Sequence, residues 1–266
     1  MKESSGDKIF MIVNYTFLTI ILAIVLYPMI YVVSCSFSHP SAVTSGKVWL
    51  LPVNPTLIGY KTIFENRDII TGYANTIYYT ICGTTLAVAL TVLAAYPLSR
   101  KDYKLRNPIM LIFTFTMFFS GGLIPTYLLM SSLGLVNTRA VMIIPGALSV
   151  YNVIIARTFF QSTIPQELLE ASQIDGCSDF VFFGKVVLPL SKAIISVIAL
   201  FYAVGYWNSY FNALIYLHDR NKYPLQMILR EILIQNRMDA EALSSGWMSV
   251  DDLAARQSLF ELLKYS

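Results

Sequence analysis

The sequence predicts an all-α integral membrane protein, a polytopic helical bundle, and three observations carry that reading. Hydrophobic residues make up 56% of the chain and charged residues only 13%, against roughly 25% charged in an ordinary soluble domain, which leaves too little polar surface to face water. Apolar runs with almost no charge recur at the length a bilayer demands, since crossing roughly 30 Å of hydrocarbon takes about 20 helical residues. The polar stretch from Glu167 to Gly176 is wedged between such runs, as a connection at a membrane face would be.

Five runs qualify as spans, at residues 9–37, 73–98, 108–133, 140–160 and 193–217. Lys2 and Lys8 precede the first, but it is too long for a cleaved signal peptide and lacks the small-residue cleavage site, so it reads as an uncleaved span. Gly121, Gly122 and Pro125 interrupt the third. A helix broken at membrane depth needs protein or water for its freed backbone groups, which makes this segment a hinge or cavity wall on the substrate path; a plain helix end near the outer surface accounts for the same residues. In the fifth span Tyr206, Trp207, Asn208, Tyr210 and Asn212 mix aromatic faces with amides. That mixture suits stacking on sugar rings, and it equally suits hydrogen bonding between helices. The spans carry no deep ionisable residue, so a proton relay has no visible carrier.

Orientation follows from the short connection holding Arg100, Lys101, Lys104 and Arg106, because basic residues close to span ends stay in the cytoplasm. The opposite short connection holds only Arg139. Alternation then puts the N-terminus and residues 161–192 in the cytoplasm, with residues 38–72 and 218–258 as external loops. No polar linker divides the chain, which reads as one membrane domain over 1–266. The net charge of +3 is small and scattered, so nucleic acid is not implied as a partner. Cys35, Cys82 and Cys177 lie apart without metal-ligand spacing, and no metal site is expected. The G-x-x-x-x-G-K-[ST] phosphate loop is absent, so the chain is not expected to bind ATP.

Within the cytoplasmic segment, Thr163 can cap a helix with Gln166 as its capping-box partner and Pro165 in the first turn. That helix should run to about Ile174. Gly176 tolerates a positive φ and ends it, and Ser178 with Asp179 can cap a second helix leading to Leu188 and Pro189. Glu167 and Glu170 share one face, leaving Leu168, Leu169 and Ala171 to pack or dock. On cap residues alone, an ordinary solvated loop would suffice.

The spacing does more. Glu170, Ala171, Ser172, Gly176, Val186, Leu188 and Pro189 fall on the E-A-A-x3-G-x9-I-x-L-P pattern, with Ser172 and Val186 as mild departures, and the chain thereby resembles the permease subunits of binding-protein-dependent ABC importers. Residues 120–127 with Gly134, residues 206–213 and residues 223–231 extend the likeness toward the carbohydrate branch, particularly lipoprotein-type, polysaccharide and alginate importers. The resemblance implies a type I importer permease in the bacterial cytoplasmic membrane, a non-catalytic subunit that moves a saccharide. It implies partners: a second homologous permease, two ATPase subunits that hold the ATP and Mg, and an extracytoplasmic solute-binding protein. In that family the first short helix enters a cleft of the ATPase, so Glu167, Glu170, Ala171, Ser172, Asp175, Gly176, Leu188 and Pro189 would couple the two, with Glu170 as the ion-pair residue. The external loop would reach the binding protein through Ser244, Ser245, Gly246 and Trp247. A sixth span, expected after residue 260, would complete the family pattern. An importer for a non-sugar solute is the nearest rival; an ion-coupled transporter would need buried acids in the spans.

Overall fold

The computed structural model describes residues 5–244, and among them all regular structure is helical. The chain forms two compact units, one made of Thr71–Ile228 and the other of residues up to Ile70 together with those from Leu229.

In the flanking unit, α1 (Ser5–Ser36) is apolar on every side and satisfies the length and hydropathy of a membrane span, with none of its most apolar window buried. A helix hydrophobic all round belongs in lipid or in a core. The chain after it is folded locally rather than trailing. Ser34 donates to the Leu50 carbonyl at 2.6 Å, and Ser38 accepts from the Val53 amide at 3.0 Å. Cys35, Ala42 and Val48 are buried among them, near the short helices α2 (Pro40–Thr44) and α3 (Ile58–Glu65).

In the larger unit, α4 (Arg67–Ser99) is one unbroken apolar helix. The expected third span is bent: α5 (Arg106–Phe118) and α6 (Leu123–Ser132) meet at 112°. Gly122 takes φ +84°, a region closed to most side chains, and Pro125 sits in the first turn of α6, where no amide is required of it.

The fourth run departs most from a plain span over 140–160. After a 3-10 turn at Arg139–Met142, helix α7 begins only at Val150 and ends at Thr163. Pro145 lacks an amide and Gly146 favours no helix, so the chain between them stays irregular.

The polar connection holds α8 (Gln166–Ile174) and α9 (Asp179–Phe182), which continues through a π-helical turn at Phe183–Val187 into α10 (Leu188–Leu190). A bend of 77° leads to α11 (Lys192–Trp207); π turns and prolines are the usual causes of such kinks. The run expected to be continuous over 193–217 breaks again after Trp207 before α12 (Phe211–Tyr216), and only the first residues of α13 (Leu225–Ser244), up to Ile228, belong to this unit. Two apolar clusters organise this unit. One gathers α4, α7, α9 and α11 around Phe160, Phe182 and Ile198, and the other joins Tyr79, Met142 and Tyr216.

Candidate functional site

Helix α8 is short, amphipathic and without a single buried residue. Leu169 is its one large apolar contact with the main core, while Leu168 stays exposed and Ile174 is 87% exposed. The capping expectation fails in detail. Thr163 is the last residue of α7, Pro165 occupies the N-cap without a side-chain bond, and Gln166 reaches forward to Glu170 at 2.9 Å. Proline disfavours helical backbone in the residue before it, Ile164, so the N-cap falls at Pro165, two residues later than Thr163.

Downstream the expectation matches the geometry. Gly176 has φ +74°, and its turn is closed by the amide of Gly176 on Gln173 and that of Cys177 on Ser172. The Ser178 hydroxyl then accepts from the Val181 amide at the start of α9. Ala171 and Asp175 lie exposed on α8 and its C-cap, Ser172 is half-buried, and its hydroxyl turns back to the Leu169 carbonyl. Leu188 packs on the main core and Pro189 is exposed in α10.

A cleft of about 630 Å³ separates α8 from the connection between α4 and α5, walled by Glu167 and Glu170 on one side and by Arg100, Lys101 and Arg106 on the other. Arg100, on the wall of this cleft, is held by two carboxylates. Arg100 donates through Nη1 to Asp179 Oδ1 at 2.6 Å and through Nε to Asp102 Oδ1 at 2.9 Å, with Nη2 on the second oxygen of Asp102. Those hydrogen bonds from Arg100 hold the Asp102 carboxyl below the usual carboxylate range, and they push Arg100 above the usual arginine range. Sequence reasoning used Arg100 for orientation and Asp179 as a cap, and missed their pairing across 79 residues; the clustering of basic residues at one span end was the available signal.

The aromatic and amide residues of the fifth run separate. Tyr206 is buried, donates its hydroxyl to the Ile143 carbonyl at 2.9 Å, and presses on Gly83 so closely that a Cβ there would lie 2.5 Å from the ring. Its neighbour one turn back, Tyr202, accepts from the Ser149 amide at 2.9 Å and bonds the Thr91 hydroxyl at 2.7 Å. Both tyrosines thus serve backbone groups freed by the break at residues 143–149, a role for Tyr206 in interhelical packing. Trp207, Asn208 and Tyr210 are exposed around the break after α11, Asn212 is half-buried in α12, and Gly121, Gly122 and Pro125 are exposed at the bend between α5 and α6. Ser245, Gly246 and Trp247 lie outside the described residues, and Ser244 closes α13.

No protein-family model matches the chain. It is 42% identical over 228 residues to the polygalacturonan/rhamnogalacturonan transport system permease protein YtcP of Bacillus subtilis, covering 86% of this chain and 79% of that one. The chain belongs to the permease subunits of carbohydrate ABC importers. Protein LplC of Bacillus subtilis is 39% identical over 240 residues, covering 90% of the permease and 81% of LplC. Among solved structures, the permease matches the crystal structure of a bacterial ABC transporter involved in the import of the acidic polysaccharide alginate, with a TM-score of 0.85, 35% identity, all of this chain and 93% of that one. The permease is a non-catalytic, membrane-embedded transport subunit.

Proposed function

We propose that this permease passes a saccharide derived from an acidic polysaccharide across the cytoplasmic membrane, driven by ATPase subunits that engage α8. The observation that carries the coupling role is α8 itself, a helix of nine residues with no buried side chain, bounded by a proline and a positive-φ glycine. A helix kept on the surface of a membrane protein, at an expense in exposed Leu168 and Ile174, suits insertion into a partner's groove. Glu167 and Glu170 give its face a negative charge that a basic-rimmed groove would complement. The saccharide class is supported by the polygalacturonan/rhamnogalacturonan permease and the alginate importer among its relatives.

In this reading the N-terminus and α8 lie in the cytoplasm, placed there by Arg100, Lys101, Lys104 and Arg106. A second permease completes the pathway, two ATPases bind ATP and Mg, and an extracytoplasmic solute-binding protein delivers the saccharide. Closure of the ATPases would displace α8 and turn the pathway outward, and their reopening would release the sugar inward. The complex assembled with its ATPases and binding protein tests this by hydrolysis stimulated by loaded binding protein, comparing oligogalacturonate, oligoalginate and neutral maltooligosaccharide. A Glu170→Ala, Gly176→Pro variant should lose stimulation. Normal assembly and full stimulation in that variant would sink the coupling role, and stimulation by the neutral sugar alone would sink the acidic substrate.

A further inference from the structure

The lever is mounted on α4 at both of its ends. Upstream of α8, Arg157 in α7 donates to the Leu98 carbonyl at 2.8 Å and Gln161 donates to the Ser99 carbonyl at 3.5 Å. These are orphan carbonyls at the C-terminus of α4, groups that need donors from outside the helix. Downstream of α8, Asp179 takes the Arg100 guanidinium. Three successive positions, 98 to 100, therefore receive both flanks of the coupling segment, while α8 between them buries nothing.

The two carboxylates on Arg100 are not equivalent. Asp102 belongs to the same connection and holds the guanidinium with both oxygens, a fork geometry that fixes orientation as well as charge. The Arg100 side chain is only 14% exposed, against 61% for Asp179. Arg100 is thus built into the end of α4 by Asp102, and Asp179, three residues beyond Gly176, is the arm that arrives. Tyr96, one turn earlier in α4, packs on Phe183 in the π turn and edge-on against Phe160 in α7, so the same helix end also contacts both flanks through apolar rings.

We infer that Arg100 is a positioning residue for energy coupling: through Asp179 it clamps the downstream end of the coupling segment to α4, so that movement of α8 is delivered to the membrane helices and not absorbed in the Gly176 turn. The inference rests on the coupling role proposed for α8. It is tested in the assembled importer in proteoliposomes, reading the number of saccharides transported per ATP hydrolysed. Asp179→Asn removes the charge from the arm while leaving Arg100 its pair with Asp102, and should lower that ratio by about tenfold, within the span of ordinary coupling energies. Asp179→Glu should restore it to within about twofold, a rescue that a loss of packing or of protein amount would not give. An unchanged ratio in assembled Asp179→Asn overturns the inference. Should that variant not assemble, Arg100→Lys keeps the charge and loses the fork, and the same drop or constancy decides. A wild-type complex that hydrolysed ATP without any coupled transport would instead count against the coupling role itself.

Discussion

The irregular segment at residues 143–149 and the turn at Gly176 are both places where a helix stops, yet they are finished in opposite ways. At the first, the backbone groups of buried Ile143 and half-buried Ser149 are answered from another helix: Ile143 by Tyr206, Ser149 by Tyr202. The second lies on the surface and answers itself, through amides of residues 176 and 177 on carbonyls of the same turn. The difference follows from the solvent each one meets. In hydrocarbon an unpaired amide or carbonyl has no water to fall back on, so an interior break must recruit partners of long sequence separation. A surface turn needs only local closure and remains free to be gripped by something else. Rigidity and availability are thus placed in different parts of one chain, and α7 and α11 connect them.

The largest effect that would sharpen this contrast comes from truncating the interior tyrosine. Tyr206→Ala removes a buried ring and its hydrogen bond to the Ile143 carbonyl, and should destabilise the protein by about 3–5 kcal/mol, as large aromatic truncations do. Tyr206→Phe keeps the ring against Gly83 and should cost about 1–3 kcal/mol, the desolvation of one unpaired carbonyl. Both are read from denaturant unfolding in detergent. Leu168→Ala in α8, an exposed position, serves as the surface counterpart and should fall within about 0.5 kcal/mol of wild type. If Leu168→Ala cost as much as Tyr206→Ala, the division between a fixed interior and a free lever would be wrong.

This contrast also marks what the sequence could reveal. Long apolar runs and the bounds of α8 at Ile174 were legible, because hydrophobic length and Gly176 act locally. The bend at Gly122 was legible for the same reason. The late start of α7 is hidden in the sequence although Pro145 and Gly146 stand in the run; an apolar stretch hides a break when the residues that satisfy it come from elsewhere. By residue type Tyr206 suits either a sugar or a neighbouring helix, and only the position of Ile143, 63 residues away, shows which group its hydroxyl meets. The Arg100 and Asp179 pair escaped for a related reason, since each residue already had a sufficient local role in orientation or capping.

A smaller effect tests the surface turn. Nothing lies within 4 Å of where a Cβ would stand on Gly176, and its φ is +74°. Gly176→Ala should therefore cost about 1–2 kcal/mol from backbone conformation alone, without a clash. A change well above that, measured in the same unfolding assay, would mean that the turn is braced by contacts like those of the interior break.

The smallest effect is one of pH, and its sign separates the two regions once more. Asp102 is held below its ordinary carboxylate range chiefly by hydrogen bonds from Arg100. A depressed acid binds fewer protons folded than unfolded, so its contribution is fully present above the unfolded value of about 3.9 and is lost as pH falls through the lower folded value. Stability should be flat from this source between about pH 7 and 5 and should fall only below about pH 4. Its size is modest because Asp102 is 55% exposed and the pair is screened by water and salt. Asp102→Asn should flatten that acid limb, whereas the cost of Tyr206→Phe should not change over the same range, since no carboxylate takes part in the bond to Ile143. An acid limb that persisted in Asp102→Asn would place the titrating group elsewhere.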